Sequence, residues 1–347
     1  MSRIAVVTSG QPFGVGGHLE IANGLAQALR EAGHRADVVL TPQNRFGRQG
    51  AAYLAAWLTD LGMAQDGGRI DQVISLRYPA FALRHDAHVC WLTHRMREYY
   101  DLWDEFSGAL TPAQRLKERI RRTLIHRADR YLLTHRVRKL FVISGVVRDR
   151  LERWGGIPST VLHPPPPPRA YRCDGYGDYI FAVSRLTSLK RLDLLLRALA
   201  EPAAAGVRCA IAGDGDQAAE LQRLSRSLGV ASRVSFLGEI DATELVAHLA
   251  RCRAVCFPVR NEDYGFVTVE AFASRKPVVT CLDSGGPNEF VHDGVEGRVT
   301  EPTPAALAAA LGSLAADDSL ACRMGEAGWR AVSGLTWPKV VEQLVMV

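Results

Sequence analysis

Five consecutive prolines, Pro164 to Pro168, split this chain into two parts of similar length. Proline has no backbone N–H to donate and its ring holds φ near one value, so neither sheet nor helix continues through such a run. The segment from His163 to Pro168 is therefore expected to be a stiff, extended linker. At 347 residues the chain is also long for one compact core. Two domains are expected, 1–163 and 164–335, followed by a closing helix at 336–347 in which Val340, Val341, Leu344 and Val345 recur at helical spacing.

On each side of the prolines, short apolar runs alternate with helical patterns. Strands are expected at 4–8, 36–40, 73–76, 88–92 and 140–143 before the linker, and at 179–183, 209–212, 234–237, 255–258 and 278–282 after it. A helix is expected over about 17–32. Continuous apolar strands separated by helices predict parallel sheets covered on both faces. Two such units place a ligand in the cleft between them, at the carboxyl ends of the strands.

Composition excludes several classes. The chain is 47% hydrophobic and 23% charged, as in ordinary globular proteins, with a net charge of +5 that suits a phosphorylated ligand. Its seven cysteines are odd in number and mostly lie in apolar stretches, which reads as reduced core thiols in a cytoplasmic protein. Cys252 and Cys256 are four apart, but no second Cys or His pair follows at zinc-ligand spacing. No apolar run approaches the ~20 residues that cross a bilayer, and the first residues enter a strand without the apolar region of a signal peptide.

The richest stretch is Glu262-Asp263-Tyr264-Gly265-Phe266-Val267-Thr268-Val269-Glu270, between an apolar strand and a helix. Gly265 permits a tight turn and close approach of a ligand. The helix that follows begins with unpaired N–H groups and a positive dipole end, which suit phosphate. Glu262 precedes the helix and Glu270 lies about one turn inside it, so two carboxylates can meet different parts of a hydroxyl-rich ligand. The competing reading is a pair of solvated glutamates. Arg185 and Lys190 bracket a loop after the first strand of the second half, where cations can clamp a diphosphate; a solvated Lys190-Arg191 pair opening a helix is the plainer alternative. Gly213-Asp214-Gly215 is a tight turn after another strand. In the first half Gly14-Val15-Gly16-Gly17 opens a helix, and His94 sits where a strand ends, a position as often structural as catalytic.

Taken together, these segments resemble the family-4 glycosyltransferases of the GT-B fold. The glutamates at 262 and 270, the Arg185…Lys190 loop, Gly213-Asp214-Gly215 and Gly285-Gly286-Pro287-Asn288-Glu289 stand in that family's order. The resemblance implies an α/β chain of two Rossmann-like domains, an N-terminal acceptor domain and a C-terminal nucleotide-sugar donor domain, with the ligand cleft between them. It further implies transfer of a sugar, with retention, from a nucleotide diphosphate donor (UDP being the commonest) to a hydroxyl acceptor, with no metal and no cofactor. His94 and Glu262 take the catalytic roles. Glu270 holds the ribose, Arg185 and Lys190 the diphosphate, and Gly17 offers its N–H to the distal phosphate. Gly215, Tyr264, Gly265, Phe266 and Val267 complete the substrate-binding set. Two departures concern the acceptor more than the donor: Ser184 stands where the family has glycine, and the loop after Leu40 is short of a full extra strand. The Arg- and Ala-rich composition and the lack of an apolar span also fit bacterial enzymes that decorate oligosaccharide antibiotics such as avilamycin, with lipopolysaccharide or exopolysaccharide assembly as the competing role.

Three other readings compete with this one. A nucleotide-sugar epimerase uses the same fold but needs no acceptor. An NAD-dependent oxidoreductase is disfavoured because the first glycine loop lacks the Gly-x-Gly-x-x-Gly order, and Leu40-Thr41 stands where the ribose-binding acid belongs. The segment 115–139 carries ten Lys or Arg against Glu118 and Asp129, with Leu116, Ile120, Leu124 and Ala128 at helical spacing. It is expected to be a helix packed on the core by that apolar face, with peripheral attachment to anionic lipid or docking of a charged acceptor as the alternatives. Nucleic acid is not an expected partner, and nothing in the sequence sets the oligomeric state.

Overall fold

The structure, a computed structural model, describes residues 1–11, 16–43 and 46–346. Gly14 and Val15 of the first glycine loop lie outside the described residues. The chain forms two compact units, residues 1–164 with 336–347 and residues 165–335.

Unit 1 runs β1 (Arg3–Gly10), α1 (Gly17–Glu31), β2 (Arg35–Pro42), α2 (Gln49–Leu58), β3 (Gln72–Ser75), β4 (His88–Leu92), α3 (Trp103–Gly108), α4 (Pro112–His135), β5 (Lys139–Val142), α5 (Gly145–Arg153) and β6 (Thr160–Val161). Unit 2 runs β7 (Tyr179–Val183), α6 (Leu192–Ala200), β8 (Arg208–Ala212), α7 (Ala218–Ser227), β9 (Val234–Gly238), α8 (Ala242–Arg251), β10 (Ala254–Cys256), α9 (Phe266–Ala273), β11 (Val278–Cys281), β12 (Gly297–Thr300), α10 (Pro304–Ala316) and α11 (Asp318–Val332). The chain then returns to unit 1 as α12 (Trp337–Leu344).

Each unit holds one six-stranded sheet, in the orders β2-β1-β3-β4-β5-β6 and β12-β11-β10-β7-β8-β9. All named neighbours pair in parallel. The central strands β3, β4, β10 and β11 are buried at every position, as strands covered on both faces must be. β6 and β12 were not expected; both are short edge strands whose residues are mostly half-exposed, so neither has a continuous apolar run to betray it. The proline run does not hang free, since Pro164, Pro165 and Pro167 are buried. α12 seals unit 1: the Gln72 amide donates to the Leu344 carbonyl at 2.7 Å, and the Trp337 ring fills a notch at Gly24 where a Cβ would collide with it.

The structure corrects the reading of α4. The helix begins as its sequence predicts, with a capping box between Thr111 and Gln114 and Pro112 at the first turn. Its apolar stripe, however, faces outward: Leu116, Ile120 and Leu124 are 62%, 59% and 59% exposed. The face that packs on unit 1 carries Ile125, Leu132 and Leu133 together with the two acids, Glu118 and Asp129. Buried carboxylates are tolerated where donors satisfy them, and here tyrosines do so. The Tyr53 hydroxyl and the Tyr100 hydroxyl (2.6 Å) both donate to Asp129, and the Tyr99 hydroxyl donates to Glu118 at 2.7 Å. Arg121 completes the Glu118 pair, and the Arg95 guanidinium lies 3.7 Å over the Tyr100 ring.

A second buried polar group gives unit 1 a pH dependence. His88 in β4 is fully buried, and one ring nitrogen shares a 2.7 Å hydrogen bond with the Ser75 hydroxyl. Burial lowers its pKa from the ordinary 6.5 to about 4. Below pH 6.5 the unfolded chain takes up a proton that folded His88 resists, so the stability present at neutral pH is lost as pH falls through that window. The expected loss is about 3 kcal/mol between pH 6.5 and pH 4, in the range that such a shift represents. Urea denaturation across this range should show it, with His88→Gln flattening the profile; an unchanged profile in that variant would rule His88 out as the source.

Candidate functional site

In an open parallel sheet, ligands bind outside the carboxyl ends of the strands where the strand order reverses. In unit 2 that reversal lies between β7 and β10. The loops that leave these two strands carry most of the residues singled out above. They are tied to each other and to the loops after β8 and β11 by backbone bonds: Arg260 N to Leu189 O (2.9 Å), Leu186 N to Asp214 O (2.9 Å), Glu262 N to Ser284 O (2.8 Å) and Gly286 N to Glu262 O (2.9 Å).

At this junction Lys190 donates to Glu262 at 2.6 Å. The two side chains are only 13% and 25% exposed, which sets them apart from a solvated surface pair. The Lys190 ammonium also sits 5.4 Å over the Phe257 ring. Arg185 opens the same loop, is exposed, and makes no side-chain hydrogen bond or ion pair among the described residues. The neighbouring Arg191 has a different task. In a left-handed conformation (φ 49°), it donates to the Pro258 and Val259 carbonyls and pairs with Asp283 at 2.7 Å, locking the loop geometry.

α9 starts beside this pair. Its cap, Gly265, has φ 85°, and a Cβ there would lie 2.9 Å from Pro287 Cγ, so only glycine fits. Phe266 and Val267 supply the first amides of the helix, which face outward unpaired in any α-helix. The Tyr264 ring is buried against Phe266 and Phe290, so a ligand contact from this residue is left to its backbone. Glu270 is 5% exposed. Arg169 and Tyr171 both hydrogen-bond its carboxylate, Tyr171 at 2.9 Å. Burial first, and then the Glu270 charge, push the Tyr171 hydroxyl well above its ordinary pKa, so it stays a donor. Arg169 and Tyr171 were not foreseen; they lie in an irregular segment just after the prolines, with no local pattern to mark them. Gly213 passes so close to the Ser184 carbonyl that no Cβ fits, and the Gly215 amide bonds the Asp214 side chain at 2.8 Å.

Gly17 and His94 belong to unit 1. Gly17 is the exposed first residue of α1. His94 follows β4, half-buried, with Nδ1 2.7 Å from the Arg95 carbonyl. Among the described residues no three His, Cys, Asp or Glu side chains gather as metal ligands would, and no single helix is long and apolar enough to cross a membrane. All seven cysteines are free, five of them buried.

Residues 171–330 match the family model of the group 1 glycosyl transferases. Similar curated proteins include a GDP-mannose-dependent alpha-(1-6)-phosphatidylinositol monomannoside mannosyltransferase of Mycolicibacterium smegmatis, 36% identical over 187 residues, covering 50% of this chain and 49% of that protein. A D-inositol 3-phosphate glycosyltransferase of Nocardia farcinica is 32% identical over 240 residues, covering 64% and 52%. The chain thus spans about half the length of the curated relatives it matches. Among solved structures it is similar to WaaG, a glycosyltransferase involved in lipopolysaccharide biosynthesis (TM-score 0.74, 15% identical, 99% of both chains). It is also similar to a sucrose-phosphate synthase of Thermosynechococcus elongatus (TM-score 0.75, 18% identical, 99% and 97%). The chain therefore has the GT-B fold, and its residues 171–330 are similar to the group 1 glycosyl transferases.

Proposed function

We propose that this chain is a glycosyltransferase that moves a sugar from a nucleoside-diphosphate donor to a hydroxyl acceptor, with retention at the anomeric carbon and without a metal ion. The observation that carries the reading is the Lys190–Glu262 pair at the β7/β10 reversal, beside the glycine-capped start of α9. The first amides of α9, Lys190 and the exposed Arg185 form an anion-binding set of backbone dipoles and fixed cations. Such groups stabilise the charge that grows on a departing diphosphate, which can itself draw the proton from the acceptor hydroxyl. Glu262 then turns toward the sugar hydroxyls, and Glu270, braced by Arg169 and Tyr171, accepts from the ribose. The proposal extends to unit 1 with the roles given above for Gly17 and His94.

For the donor base UDP is the family's commonest choice, with GDP and dTDP as the alternatives; one similar protein is named for GDP-mannose. For the acceptor we favour a small-molecule or oligosaccharide hydroxyl, with lipopolysaccharide or exopolysaccharide assembly as the alternative. A thermal-shift panel of UDP, GDP and dTDP in EDTA tests the donor half. A ligand that binds only the folded state adds about 2.7 kcal/mol at a hundredfold excess over Kd, so one of the three is expected to raise Tm by several degrees. Incubation with the matching nucleotide sugar and a panel of acceptors should then yield a glycoside of the donor's anomeric configuration. No shift with any diphosphate, an inverted product, or isomerisation of the donor without an acceptor would each overturn the reading.

A further inference from the structure

We infer that the outward face of α4, together with the adjoining face of α2, is a docking surface for an anionic lipid bilayer. Leu116, Ile120 and Leu124 stack at intervals of four on α4, on the side opposite the buried Ile125 and Asp129. Tyr131 extends the row, and Leu54 and Leu58 stand on α2; all six are more than half exposed. Between the two helices runs a groove of about 590 Å³, lined by Tyr53, Leu54, Trp57, Leu124, Ala128 and Tyr131 among others. Single exposed apolar residues need no explanation, but six on two helices that share a groove do.

Charge identifies the occupant. α4 carries seven Lys or Arg against two acids, and both acids are buried in the tyrosine cluster beneath the helix. The exposed charges of α4 itself are Lys117, Arg119, Arg127 and Arg130, all positive. At the groove's end Arg84 and Arg136 each stack 5.3 Å from the centre of Trp57. An exposed apolar stripe on a helix whose exposed charges are all cations matches the boundary of acyl chains and acidic headgroups. A second copy of the chain fits less well: a two-fold contact sets these cations against one another with no exposed acid on α4 to meet them. A nucleic acid leaves the apolar stripe without a partner.

The test is co-sedimentation of the full chain with vesicles, which does not depend on sugar transfer and so stands or falls apart from the proposed activity. The chain is expected to bind vesicles of equal parts phosphatidylglycerol and phosphatidylcholine at low salt, to bind more weakly at high salt, and to leave pure phosphatidylcholine largely free. The triple change Leu116→Gln, Ile120→Gln, Leu124→Gln lies wholly on exposed positions, so Tm should hold while the partition coefficient falls about tenfold or more. Charge reversals Lys117→Glu and Arg127→Glu should each reduce it by at least fivefold, the order expected per cation near such a surface. Absence of binding to the acidic vesicles at low salt overturns the inference, as does undiminished binding of the triple variant. A wild-type dimer in solution that the triple variant dissolves would also overturn it, assigning the stripe to a second copy.

Discussion

Lys190→Ala is expected to lower kcat by about 10²–10³-fold while the protein keeps its fold. The change removes a cation from the β7/β10 reversal and leaves Glu262 without its 2.6 Å partner. A preorganised group directed at developing charge contributes about 3–4 kcal/mol to the transition state when the site excludes water. The same pair contributes at most about 1 kcal/mol to stability, because both side chains keep some solvent contact. The two readouts therefore separate: steady-state kinetics should collapse while the melting temperature moves little. Lys190→Arg should recover only part of the rate, since a guanidinium fork cannot take the place of an ammonium pinned between Glu262 and the Phe257 ring. Native turnover in a folded Lys190→Ala protein would remove Lys190 from the mechanism.

Asp129→Ala should be the most damaging single change to unit 1. It strands the hydroxyls of Tyr53 and Tyr100, both of which donate to this carboxylate, and leaves the nearby Arg95 without a counter-charge. Unsatisfied buried donors cost roughly 1–3 kcal/mol each, so a loss of about 4 kcal/mol is expected. Denaturation followed by tryptophan fluorescence reports mainly on this unit, because Trp329 is the one tryptophan of the other. Asp129→Asn keeps the shape and should cost less, with a distinct pH signature. Burial raises the Asp129 pKa, against the opposing pull of Arg95 and the two tyrosines. A carboxyl with a raised folded pKa lends its full stability at low pH and loses it as pH climbs through that value. The asparagine variant should therefore gain on the wild type as pH rises from acid toward neutral. Equal denaturation midpoints for wild type and Asp129→Ala would show that the cluster does not anchor α4.

The same cluster explains where the sequence could be read and where it could not. The central strands announced themselves because burial on both faces demands unbroken apolar runs, and the loops after them carried Lys190 and Glu262 at visible positions. The inner face of α4 was misread because its acids look solvated until three tyrosines, from α2 and from the segment after β4, are brought against them. Arg169 and Tyr171 were silent for a related reason: their partner Glu270 lies about a hundred residues downstream, and no periodic pattern spans that distance. Arg191 and Lys190 read as one basic pair in the sequence, although a left-handed backbone turns the two side chains to separate tasks.

The return of α12 to unit 1 sets an order for the birth of the molecule. Residues 165–335 are contiguous and need nothing from elsewhere to complete their sheet. The half made earlier stays unfinished, its Gly24 notch open and the Gln72 amide without the Leu344 carbonyl, until α12 has left the ribosome. Vectorial synthesis ordinarily lets the first domain settle first; in this chain the later domain can reach its native core while the earlier one is still waiting for its last helix.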